Sequence, residues 1–227
     1  MSGTVLVTGG TGGLGAAVVA RLLDEAWRVV VPWRSEEHVA RLPSGVAALV
    51  PVQADLTDAA SVGSVVARAA DDPERPLRAV VNLVGGFAMG GRVHETPVEE
   101  FEAQLRLNLR PAYLVCQAAL PHLVAAGGGS VVLVSSQAVR KPFGGAAGYL
   151  TAKTAVLGLA AALHAEYAKD GVRVNTVLPG VIDTPTNRAS MPDSDRKGWT
   201  PPEDIAQTIA FLCSDAAHAV RDSQLLV

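Results

Sequence analysis

The sequence predicts a single α/β domain over residues 1–227: a doubly wound parallel sheet of about seven strands with helices on both faces. Apolar runs alternate with amphipathic stretches of helix length from end to end. Several of those runs are continuous Val/Leu rather than alternating, as strands covered on both faces require. The length, with 49% hydrophobic and 18% charged residues, suits one core and carries no signature of disorder.

In chain order, strand-like segments fall at Thr4–Thr8, Arg28–Val31, Ala47–Gln53, Leu77–Val84, Ser130–Ser135, Arg173–Leu178 and Gln224–Val227. Helix patterns occupy Leu14–Glu25, Asp58–Ala70, Val98–Ala126, Ala147–Lys169 and Pro202–Leu212. Such alternation implies right-handed crossovers onto a parallel sheet. Gly85–Pro97 and Pro179–Pro202 fit neither period, and long irregular segments in a compact domain are usually functional. No repeat or linker divides the chain.

Net charge is −3 and no basic run occurs, so nucleic-acid and anionic-membrane partners lack electrostatic support. No stretch approaches the roughly 20 apolar residues that span a bilayer. Met1-Ser2-Gly3-Thr4 leads into the first strand without a basic or apolar leader. Cys116 and Cys213 lie in apolar helical contexts and read as buried thiols. A cytoplasmic location is expected, and no metal site.

Thr8-Gly9-Gly10-Thr11-Gly12-Gly13-Leu14-Gly15 lies between the first strand and the first helix. Glycines there let backbone turn tightly and approach a pyrophosphate seated on the helix N-terminus, so Gly9, Thr11, Gly13, Leu14 and Gly15 are candidate nucleotide contacts. The second strand runs into Trp33-Arg34-Ser35 with no carboxylate to hold the ribose hydroxyls of NAD. Arg34, with Ser35, either pairs with a 2′-phosphate or is a solvated residue opening a helix. Preference for NADP(H), with NAD(H) as the alternative, is the expectation. Asp55, followed by Leu56, either meets the adenine or makes a turn before a helix capped by Thr57 or Asp58.

Tyr149 and Lys153 stand four apart and share one helix face. A phenol with pKa about 10 is a poor acid at neutral pH, and a neighbouring ammonium is expected to lower it. Ser136 follows the strand that precedes them, at the carboxyl edge where open α/β sheets hold ligands.

The glycine turn, Ser136, Tyr149 and Lys153, in this order and spacing, resemble the short-chain dehydrogenase/reductase family over almost the whole chain. The resemblance implies a Rossmann-type domain and hydride transfer between a nicotinamide and a small carbonyl, alcohol or imine. Tyr149 would be the general acid, Ser136 would orient the substrate, and Lys153 would bind the nicotinamide ribose. Asn108, in Leu107-Asn108-Leu109 on the long fourth helix, matches the family asparagine that holds a proton-relay water; read alone it is a solvated helix residue. Pro179-Gly180 followed by Thr184 matches the nicotinamide-side turn, where the backbone of Ile182 would meet the carboxamide. The family's N-N-A-G appears as Asn82-Leu83-Val84-Gly85, and the sequence ends at Gln224-Leu225-Leu226-Val227 where relatives continue to a glycine pair. A homodimer or homotetramer is implied.

Two loops stand out. Val84-Gly85-Gly86-Phe87 and the segment from Asp183 to Pro201, with Met191 and Trp199, are similar to the dihydropteridine-reductase branch, although that branch lacks the serine and carries an acidic residue after the second strand. A substrate loop at about 181–200, acting as a lid with Met191 or Trp199 over the substrate, is expected; the plainer reading is a loop packing its own apolar anchors. A 3-oxoacyl-thioester reductase is the other enzymatic reading, and a catalytically silent nucleotide sensor the reading from another class.

Overall fold

In the computed structural model, which describes residues 3–227, the elements follow as β1 (Thr4–Thr8), α1 (Gly13–Asp24), β2 (Arg28–Trp33), α2 (Glu36–Val39), β3 (Leu49–Gln53), α3 (Ala59–Ala69) and β4 (Leu77–Asn82). Then come α4 (Val98–Asn108), α5 (Arg110–Ala125), β5 (Gly129–Val134), α6 (Ala147–Tyr167), β6 (Val172–Leu178), α7 (Pro185–Ser190), α8 (Pro202–Cys213) and β7 (Gln224–Leu226). Met1 and Ser2, the start of the leader reading, lie outside the described residues. The strands form one seven-stranded sheet in the order β3-β2-β1-β4-β5-β6-β7, with every pair parallel.

Both faces of the sheet are buried, which explains the unbroken Val/Leu runs. Val5 and Val7 of β1 pack with Val18 and Leu22 of α1 and with Ile205 and Ile209 of α8. Leu6 and Val80 face the other layer, with Val62 and Val66 of α3, Val115 and Leu123 of α5 and Val156 of α6. Each such fully covered side chain contributes about 1.5–3 kcal/mol. Asp58 starts α3 by accepting the Ser61 N–H at 2.7 Å, so it rather than Thr57 is the cap. The buried Cys116 and Cys213 are free, and burial pushes both thiols up to about 12. No helix among the described residues is long and apolar enough to cross a membrane.

The structure corrects several expectations. The fourth helix, expected over Val98–Ala126, breaks at Leu109 into α4 and α5. Pro111 has no N–H for the Leu107 carbonyl and its ring crowds that position. Pro121 sits inside α5 without ending it, so the break also draws on tertiary contact: Arg110 Nε donates to the Thr57 carbonyl at 3.0 Å. The Pro179–Pro202 segment is not wholly irregular. Thr184 caps α7 by accepting the Asn187 N–H at 3.2 Å, Pro185 opens the helix, and Ile182 bridges Thr200. β4 stops at Asn82 rather than Val84, because the Leu83 N–H turns to Thr8, meeting its hydroxyl at 3.2 Å.

Candidate active site

Strand order reverses between β1 and β4, and a groove of about 640 Å³ opens there along the carboxyl ends of the strands. At one end lies the glycine turn. Gly9 takes a φ of 68°, which a side chain resists, and its carbonyl accepts the Gly12 N–H at 3.0 Å. A Cβ on Gly15 would stand 2.0 Å from the Gly9 oxygen, and one on Gly13 2.8 Å from the Thr184 methyl. Bare backbone at the N-terminus of α1 therefore faces the groove, with no acidic residue in that first turn. Unpaired N–H groups at such an end attract anions.

After β2, Arg34 lines the groove together with His38 and Arg41. Ser35 does not line it and instead starts α2 without a side-chain capping bond. Asp55 and Leu56 do line it. The Asp55 carboxylate also accepts the Thr57 N–H and hydroxyl at 2.9 and 2.8 Å, and those bonds hold it below its ordinary pKa. Asp55 is thus both a turn residue and a wall of the groove.

At the other end Ser136, Tyr149 and Lys153 converge on the groove. The Ser136 hydroxyl lies close enough to the Tyr149 phenol to draw its pKa down and accepts the Ala138 N–H at 3.2 Å. Lys153 is only 6% exposed. Its ammonium donates to the Val134 carbonyl at 3.1 Å, and burial pulls its pKa from 10.5 to about 8. The expected lowering of the tyrosine is not what the structure shows. Burial pushes the phenol up and Ser136 draws it only partly back, while the Lys153 ammonium donates to the Val134 carbonyl instead.

Two candidates act from behind the groove wall. Asn108 is 1% exposed, so it is neither mid-helix nor solvated. Its Oδ1 accepts the Gly86 N–H at 3.1 Å, while its Nδ2 donates to the carbonyls of Gly86 and Gln104 at 3.0 and 3.1 Å. Its side-chain amide is spent on backbone, and it fixes the Gly85–Gly86 strip. Gly85, which lines the groove, leaves no room for a Cβ, which would lie 2.6 Å from Asn108 Oδ1 and 2.9 Å from Lys153 Nζ. Asn82 is buried between strands, accepting the Thr8 hydroxyl at 3.1 Å.

Pro179, Gly180, Ile182 and Thr184 complete the wall. The Ile182 carbonyl accepts the Thr184 N–H at 2.9 Å and the Asn187 amide at 2.8 Å. Met191 and Trp199 do not reach the groove, whereas Thr186 and Asn187 do. Sequence reasoning missed those two, because a short helix was not foreseen there. It also missed His38 and Arg41, although they follow Arg34 at four and seven residues, the spacing of one helix face.

A profile of the family described as short chain dehydrogenase matches residues 3–195. The chain belongs to the short-chain dehydrogenase/reductase family. It is therefore an enzyme, an oxidoreductase. This dehydrogenase/reductase is 35% identical over 192 residues to 2-(R)-hydroxypropyl-CoM dehydrogenase of Xanthobacter autotrophicus, covering 82% of this chain and 76% of that protein. It is 32% identical to dehydrogenase/reductase SDR family member 4 of Bos taurus, covering 98% and 84%. ElxO, solved with NADP bound, superposes with a TM-score of 0.91 at 25% identity, covering 100% and 97%.

Proposed function

We propose that this short-chain dehydrogenase/reductase moves hydride between NADP(H) and a small carbonyl or imine, the alcohol or amine being the reverse substrate. One observation carries the reading: Tyr149, Ser136 and Lys153 stand together in the groove that the glycine turn opens. The cofactor, when bound, supplies or accepts the hydride. The backbone of Gly9, Thr11, Gly13, Leu14 and Gly15 holds its pyrophosphate, and the missing Cβ atoms of Gly13 and Gly15 keep that cradle clear. Arg34, His38 and Arg41 supply cationic and donor groups for a 2′-phosphate, and no carboxylate at the end of β2 opposes it. The NADP-bound ElxO supports the same choice. Asp55 and Leu56 flank the adenine.

On the nicotinamide side stand Gly85, Pro179, Gly180 and Thr184, with Ile182 using its N–H because its carbonyl already accepts twice. Lys153 meets the ribose. Asn108 and Asn82 are positioning residues, holding the strip beside Lys153 and the ends of β1 and β4. Because burial raises its pKa, Tyr149 keeps its proton at neutral pH and hands it to the substrate oxygen or nitrogen, which Ser136 orients. Ser136 favours ketone reduction over the pterin reading. The exposed Tyr113 of α5, away from the groove, supports a homodimer or homotetramer.

The test is NADPH oxidation over a carbonyl panel with wild type and Tyr149→Phe. The variant keeps the ring and loses the proton, so turnover falls about 10²-fold or more while NADPH affinity barely moves. Near-native turnover in the variant removes Tyr149 from this role.

A further inference from the structure

A second cavity, of about 350 Å³, adjoins the groove, and Tyr149 lies in the walls of both. The loop after β4, the start of α4 and the first turn of α6 build it, with Met89, Val93, Val98, Phe101 and Gly148 among its walls. The sole charged residue lining it is Glu100. Its size matches cavities that hold small ligands. The roof is tied down rather than loose: the Gly90 N–H donates to the Gly145 carbonyl at 2.8 Å, and Gly145, at a φ of 79°, leaves only 2.7 Å between a Cβ and the Gly90 oxygen.

Aromatic residues concentrate here. The chain has 4 phenylalanines; Phe101 lines the cavity, Phe87 stands at Tyr149, and Phe143 stands at Phe87. The Phe87 ring meets Tyr149 edge-on at 5.0 Å and Phe143 at 6.1 Å. Phe87 is 57% exposed and Met89 59%. Large apolar side chains gain nothing from facing water, so a set of them clustered beside the proposed proton donor marks a surface that a ligand covers.

We propose that this cavity, together with Phe87 on the groove side of Tyr149 and Phe143 packed on Phe87, binds the non-reacting body of the substrate, and that the substrate is an uncharged aryl ketone or the matching alcohol. The inference rests on the reading of Tyr149 given above. Ring edges and faces of Phe87 and Phe143 suit a flat aromatic body. An anionic body would enter an apolar space where no cation lines the wall and Glu100 repels it.

Calorimetry of the NADP⁺-loaded and cofactor-free protein tests this, with 2-acetonaphthone and its charged counterpart 6-acetyl-2-naphthoate as probes. The ketone is expected to bind about tenfold tighter or better. Met89→Asp changes an exposed position, where substitutions leave folding intact, and it should weaken the ketone about fivefold or more without weakening NADP⁺. Equal affinities, preference for the carboxylate, or indifference to Met89→Asp overturns the proposal. Binding is read without turnover. A protein that binds the ketone selectively yet oxidises NADPH with no carbonyl overturns the hydride-transfer reading while supporting the cavity as an aryl-ligand site.

Discussion

Arg34 stands where β2 ends, in the place a carboxylate takes when the ribose hydroxyls are read. Its guanidinium is exposed, so solvent screens it and its pair with a 2′-phosphate belongs near the low end of the 1.5–3 kcal/mol range for charged hydrogen bonds. NADPH should therefore bind about tenfold tighter than NADH, and Arg34→Ala should remove most of that gap while leaving NADH unchanged. Dissociation constants for both dinucleotides in both proteins decide it; equal affinities in the wild type refute the assignment. Ser136, Tyr149 and Lys153 were legible because strand end and helix turn are local geometry. The work of Asn108 was not, since its partner Gly86 lies 22 residues away, and nothing in the intervening sequence says that loop and helix meet.

Segment Val181–Thr200 is the element whose behaviour bears most on turnover. Its ends are pinned: the Thr200 N–H donates to the Val181 carbonyl at 2.8 Å and the Asp183 N–H to Thr200 at 2.9 Å. Between them only α7 is regular, and residues 192–198 are exposed. A segment clamped at its base with few buried contacts at its tip is expected to move at the tip about fixed ends, and closure over the groove is the motion to test. Hydrogen exchange should show rapid exchange across 191–199 in the ligand-free protein and protection once NADP⁺ and a substrate analogue bind together. If the tip is already as protected as β5 without ligand, the segment is a fixed wall. Met191 and Trp199, absent from the groove wall in this conformation, would reach it only on such closure. At this scale the sequence carried the helix signals of Thr184-Pro185 and of Pro111, but Pro121 shows why proline alone does not place a break: whether a helix ends there depends on what packs against it.

For the molecule as a whole, the buried Lys153 links folding to pH. Its pKa is 10.5 in an open chain and about 8 when folded, so burial of the charged form costs on the order of 3 kcal/mol. Below pH 8 both states hold the proton and the folded state bears the full cost. Between 8 and 10.5 the unfolded chain binds more protons, so this contribution to stability rises with pH and the cost disappears above 10.5. Lys153→Met should accordingly stabilise the ligand-free protein at pH 7, by somewhat less than that figure because the Val134 carbonyl loses its donor. The advantage should shrink as pH rises from 8 to 10.5. Urea unfolding of both proteins across that interval measures it, and an advantage constant with pH refutes the burial account.

Local pattern alone determined the α/β class, the seven strands and the glycine turn, because strand, helix and turn propensities act between near neighbours in the chain; the order and spacing of Ser136, Tyr149 and Lys153 marked them as candidates through the family they resemble. Tertiary structure decided what depends on distant residues meeting. Strand order sets β4 beside β1, so that Thr8 and Asn82, 74 residues apart, share a hydrogen bond and open the groove. It also decided the depth at which Lys153 lies and the aromatic cluster around Tyr149. Desolvation and cavity shape are properties of the packed interior, and no window of sequence holds them.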